Sequence, residues 1–75
     1  MHAIRQTGAA TLSSTSPYAL YGAKLIAGTS VVITDGASRN VMSLGAVGDF
    51  MLTAPVMMTG LITTGTFTDL YIYVE

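Results

Sequence analysis

Three basic and four acidic residues in a chain of 75 leave a net charge of −1, while 51% of the residues are apolar. A typical soluble domain is about 25% charged, against 9% here, and so small a domain buries only about 60% of the surface its unfolded form exposes. These figures exclude a nucleic-acid partner, which needs clustered cations, and they leave apolar and Ser/Thr surface outside, where a lone molecule associates.

Absences narrow the chemistry further. The chain has no cysteine, and His2 is its one histidine, so neither a thiolate site nor a histidine cluster for a metal is expected. No catalytic residue, cofactor site or metal site is expected. The most apolar stretch, residues 50–62, is broken by Thr53, Pro55, Thr59 and Gly60, well short of the roughly 18 apolar residues of a membrane helix. No membrane partner is expected either. Residues 1–5 are too short to supply a secretory leader before Thr7 and Gly8 interrupt the chain.

Residues 1–17 read as an extended N-terminal arm, and residues 18–75 as a single domain. Small polar residues dominate the arm, with Ile4 and Leu12 as its sizeable apolar side chains. Two readings fit it: a disordered leader, or a strand that pairs with a neighbour and is anchored by Ile4 and Leu12.

From there, eight glycines break the chain into strand-length intervals rich in Val, Thr and Tyr, with few helix formers. The first strand is expected over residues 19–27, with Tyr21, Ala23, Leu25 and Ala27 on one face and Leu20, Gly22, Lys24 and Ile26 on the other. Gly28-Thr29 turns into a strand over residues 30–34. Asp35-Gly36 then predicts a hairpin through residues 35–40, with positive φ at Gly36, returning over residues 41–44. Further short strands are expected over residues 50–54, 56–59 and 61–64; Pro55 closes the first or places it on a sheet edge, and Gly60 turns into the last. The last runs over residues 66–74. Its Leu70, Ile72 and Val74 point inward, while Phe67, Asp69, Tyr71 and Tyr73 point outward. Aromatic residues on an outer face are what protein interfaces enrich; the alternative is cover from the same subunit. Met42, Met51, Met57 and Met58 fall at strand positions and suit core filling or adaptable interface packing. The expected fold is all-β, a small antiparallel β-sandwich or jelly-roll-like barrel of about six to eight short strands.

Asp35, Asp49 and Asp69 stand beside glycine, threonine or phenylalanine as turn and edge residues do, where a carboxylate bonds its own backbone. No Gly-x-Ser-x-Gly elbow, phosphate loop or Asp-x-Asp-x-Asp-Gly calcium loop occurs. Tyr21-Gly22-Ala23-Lys24-Leu25-Ile26-Ala27-Gly28-Thr29 leads into Val31-Val32-Ile33-Thr34-Asp35-Gly36, and Pro55-Val56 and Thr59-Gly60-Leu61 precede Leu70-Tyr71-Ile72-Tyr73-Val74-Glu75. In that order these segments resemble the small β-sandwich structural proteins of tailed-bacteriophage virions. The resemblance covers residues 18–75 and not the arm, and the chain is shorter than that group in the loop over residues 43–49.

The resemblance implies a virion location and a non-enzymatic role, that of a head decoration or cement subunit stabilising a capsid. Its partners would be the major capsid protein or other virion proteins and further copies of itself, a trimer being the expected symmetry. Phe67, Tyr71, Tyr73, Leu12 and Ile4 are the expected interface residues. The rival reading is a tail- or fibre-associated adaptor, or a receptor- or carbohydrate-binding module.

Overall fold

A computed structural model of the chain describes residues 2–75. Four strands occur among them: β1 (His2–Gln6), β2 (Ala10–Thr34), β3 (Asn40–Leu44) and β4 (Gly48–Val74). They form one antiparallel sheet in the order β1-β4-β2-β3. The fold is all-β, 84% strand, as the composition indicates. The number and length of the strands differ from the expectation. Residues read as turns, namely Gly28, Pro55, Gly60 and Gly65, lie inside β2 and β4. There they bend a strand without ending it, as glycines and bulges do. Extended, a strand the length of β2 would run about 80 Å, yet the longest dimension of the molecule is 27 Å. Both long strands therefore fold back, and the sheet rolls over its own inner face.

The pairing explains how. β2 meets β4 twice: residues 10–25 lie along residues 48–63, and residues 20–34 lie along residues 62–74. Four segments consequently stand side by side at two places. The first tract comprises residues 2–6, 70–74, 20–25 and 48–51, with Ile4, Ile72, Ala23 and Phe50 in one row. The second comprises residues 40–44, 31–34, 62–65 and 10–11, with Met42, Ile33, Thr63 and Ala10 in one row.

The two tracts are versions of each other. Pro17 and Pro55 stand 38 positions apart, as do Gly22 and Gly60. A shift of 38 also maps the pairing of Ala10 with Thr63 onto that of Gly48 with Leu25. Buried Leu20, Gly22, Ala23 and Leu25 recur as buried Met58, Gly60, Leu61 and Thr63. β1 flanks the end of β4 as β3 flanks the end of β2. The chain is two like halves around a pseudo-two-fold axis.

Between them lies the core, in which Leu20, Leu25, Ile33, Leu61, Leu70 and Ile72 have no exposed surface. Each such side chain stabilises the fold by about 1.5–3 kcal/mol. The expected alternation over residues 19–27 is corrected here, since Leu20 shares the inner face with Ala23 and Leu25. Between Leu20 and Gly22 the facing residue jumps from Val56 to Met51, a slip that accommodates Pro55 and resets the alternation.

Residues 2–17 join the same sheet. β1 pairs with the end of β4, and Ala10 to Pro17 pair with residues 59–63. Ile4 and Leu12 pack against the core of their own chain. Buried Thr63 fastens the segment: its hydroxyl lies 3.0 Å from Gln6 Oε1 and accepts the Ala10 N–H at 3.2 Å. The Ser/Thr composition that suggests an arm belongs to the counterpart of residues 48–55, and a polar sheet edge needs little apolar burial of its own.

The hairpin at residues 35–40 forms as expected, but by a different turn. Asp35, 4% exposed, accepts N–H groups from Ala37 at 2.9 Å and Arg39 at 3.0 Å, and Arg39 Nε at 2.9 Å. The positive φ falls at Ser38 (62°), not at Gly36. Gly36 serves close approach instead: its N–H donates to Thr59 O at 2.8 Å, and a Cβ there would collide with Ser14 O.

Candidate interaction surface

The outer face of the first tract carries two rows. Arg5, Tyr71, Lys24 and Asp49 form one; Ala3, Tyr73, Gly22 and Met51 form the other. Alternation puts them outside because Ile72 and Ala23, in the row between, are fully buried. Arg5 is clasped by Asp69, with Nε to Oδ1 at 3.0 Å and Nη2 to Oδ2 at 3.4 Å. That hydrogen bond, with the carboxylate's charge, raises the Arg5 pKa above its ordinary value. Four of the seven charged residues thus share one face, whereas residues 40–44 and 10–13, the edges of the second tract, carry none.

The edge segment over residues 47–57 exposes apolar side chains. Val47, Phe50, Met51, Val56 and Met57 are all exposed, Met57 to 74% and Met51 to 49%. Residues 48–51 are bonded to β2 along one edge, and no other strand pairs with them among the described residues. An exposed edge with apolar side chains is the feature that soluble folds usually blunt with charge or cover.

The residues expected at an interface divide. Tyr71 and Tyr73 lie half-buried on the outer face. Phe67 does not: it is 6% exposed and belongs to the core. The register slips between Ala27 and Ser30, opposite residues 66–69, so Phe67 and Leu70, three apart, both turn inward. Gly28 makes room, since a Cβ there would sit 2.6 Å from Phe67 Cα. Ile4 and Leu12 are partly buried against the core. The methionines split as well, with Met58 inside, Met42 half-buried, and Met51 and Met57 exposed.

Sequence reasoning offered a sheet edge at Pro55 as one alternative but assigned no exposed side chains to residues 47–57. The missed signal was the 38-residue repeat, which marks residues 48–55 as the counterpart of a polar edge, residues 10–17.

The polar groups offer little chemistry elsewhere. Asp35 spends both oxygens on its own turn, and its pKa lies below the usual carboxylate range. The Arg39 N–H lowers it most, helped by the Ala37 N–H and the Arg39 guanidinium, against an opposing effect of burial. Asp35 and Arg39 border an open depression of about 320 Å³ with Met57 and Met58. Another, of about 300 Å³, is lined by residues 5–10. Among the described residues, no three His, Asp or Glu side chains gather where they could hold a metal ion. Comparison with protein-family models, curated proteins and solved structures finds no match to this chain.

Proposed function

We propose that this chain is a non-enzymatic structural subunit of a tailed-bacteriophage virion, a head decoration or cement protein that stabilises the capsid through contacts between subunits. The observation that carries the reading is the apolar strip over residues 47–57 on a sheet edge, in a chain with only seven charges. Such a surface is suited to cover by another protein. In this reading the rolled sheet works as a small β-sandwich whose layers are the two tracts. Its partners are the major capsid protein or other virion proteins and further copies of itself, arranged as a trimer.

The mechanism is linkage. A subunit that binds the assembled shell and not its dissociated parts stabilises the shell, and repetition over many sites multiplies a modest affinity. The test is to strip particles of this subunit and heat them. Rupture at a lower temperature, restored when the subunit is added back, is expected. Unchanged rupture would sink the cement role.

A tail- or fibre-associated receptor or carbohydrate module draws on a different observation. Tyr71 and Tyr73 stand half-buried beside Arg5 and Lys24 on one outer face, where an aromatic ring can pack on a sugar. Glycan-array binding that disappears in Tyr73→Ala would favour this role over cement.

A further inference from the structure

The first tract ends in two unlike edges. One is the outer side of β1; the other is the outer side of residues 48–52. β1 runs with β2 and against both segments of β4, so the two edges have opposite sense. Placing a second copy beside the first therefore continues the sheet without changing its antiparallel alternation.

We propose that these edges join, residues 48–52 of one copy pairing antiparallel with β1 of the next. The existing rows fix the register. Carried across the junction, they set Asp49 opposite Arg5, Phe50 opposite Ile4 and Met51 opposite Ala3. Each pairing suits its face. Phe50, 37% exposed, gains cover from Ile4 on the inner face, while opposite charges meet on the outer one.

The two symmetric alternatives lack this match. Pairing residues 48–52 with themselves brings two Asp49 carboxylates together with only each copy's own Lys24 beside them, and pairing β1 with itself gathers two Arg5 and leaves Phe50 and Met51 bare. The edges of the second tract, without charge, offer no comparable code. Complementary charge selects partner and register more than it adds affinity. Because each copy carries both edges, the contact is heterologous: it propagates, and it closes into a ring where the rotation per copy permits. This deepens the reading as an assembly subunit, and rests on it, by naming the partner and the contact.

The experiment is sedimentation of the full chain, with circular dichroism to verify folding. The parent is expected to form species heavier than the 7.8 kDa monomer. Arg5→Glu and Asp49→Lys, each placing like charges across the junction, should each weaken association by about tenfold or more. The double variant should reassemble alone. A parent that stays monomeric at about 100 µM, a single variant that associates like the parent, or a folded double variant that fails to recover overturns the proposal.

Arg5 also holds Asp69, so should Arg5→Glu unfold, Asp49→Lys and Phe50→Ser carry the test: weakening by both supports the join, and parental association by either refutes it. Loss of the cement role in the particle-heating experiment would leave the solution result standing, so the two failures are distinguishable.

Discussion

Gly60→Ala isolates a place where the two halves press close. Gly60 has φ of +86°, a conformation L side chains rarely adopt. An added Cβ would lie 2.6 Å from Gly36 N, 2.8 Å from Gly36 Cα and 3.0 Å from Ser14 O. All three are backbone atoms, so no rotamer change relieves the contact. Left-handed strain on a residue with a Cβ costs about 1–2 kcal/mol. Pushing Gly36 away also weakens the hydrogen bond from its N–H to Thr59 O, about 0.5–1.5 kcal/mol more. The sum, about 1.5–3.5 kcal/mol, compares with a total stability of roughly 4–11 kcal/mol for a domain of this size. It should lower Tm by about 6–28 °C.

Urea and thermal unfolding followed by circular dichroism, at one fixed protein concentration, provide the measurement. Gly8→Ala is the control, because no atom lies within 4 Å of a Cβ there and its φ is ordinary. If Gly60→Ala unfolds together with Gly8→Ala and the parent, the account of this contact is wrong.

Three further outcomes follow from the same geometry. Phe67→Ala should destabilise the fold by about 3–5 kcal/mol, as a large core truncation does, and a melt unchanged alongside weakened association would return Phe67 to an interface. Asp35 has a folded pKa below its ordinary value, so its contribution is present above about pH 4 and disappears as the pH falls through the folded pKa. The stability gap between the parent and Asp35→Asn should therefore be open at about pH 7 and close toward about pH 2; a gap that is constant with pH would refute this. Thr63→Val removes the hydroxyl that reaches Gln6 and Ala10, stranding buried polar atoms at about 1–3 kcal/mol. Faster amide exchange over residues 2–13 should accompany it, and exchange identical to the parent would mean that Thr63 does not fasten this segment.

What the sequence discloses and what it hides have one physical cause. Alternation reads the inner face correctly wherever the ladder is regular: Leu70, Ile72 and Val74 are placed inside and are fully buried. It fails at register slips, where one face passes to the other. Leu20 and Phe67 both sit beside such slips, and composition does not locate them. The turn over residues 35–40 is legible because Asp-Gly chemistry is local. The residue with positive φ is not, because close packing against Ser14 and Gly60 claims Gly36 for another purpose. Gly60 and Gly65 punctuate the sequence like turns yet bend a continuous strand, and only pairing across more than 30 positions distinguishes the two. The surface was half legible: low charge announces apolar side chains on the outside, and Tyr71 and Tyr73 fall on the outer face. The strip at residues 47–57 depends on which strand becomes an edge, a property of topology.

The pseudo-symmetry sharpens what sets the two halves apart. A shift of 38 turns Asp49-Phe50-Met51 into Thr11-Leu12-Ser13 and Ile4-Arg5 into Met42-Ser43. Equivalent backbone positions therefore carry Asp49, Met51 and Arg5 in one tract and Thr11, Ser13 and Ser43 in the other, while Phe50 and Leu12, like Ile4 and Met42, stay apolar in both. The fold does not demand this, since both tracts roll over the same core with the same buried pattern. Large exposed apolar groups on an edge strand favour unwanted pairing, so stability of the isolated chain does not account for them either. Their asymmetry has a physical use if one tract meets a partner and the other faces solvent. A chain with two alike edges would pair through both tracts without discrimination. Confining charge to the edges of the first tract would then leave a single junction, its register set by the Arg5 and Asp49 side chains.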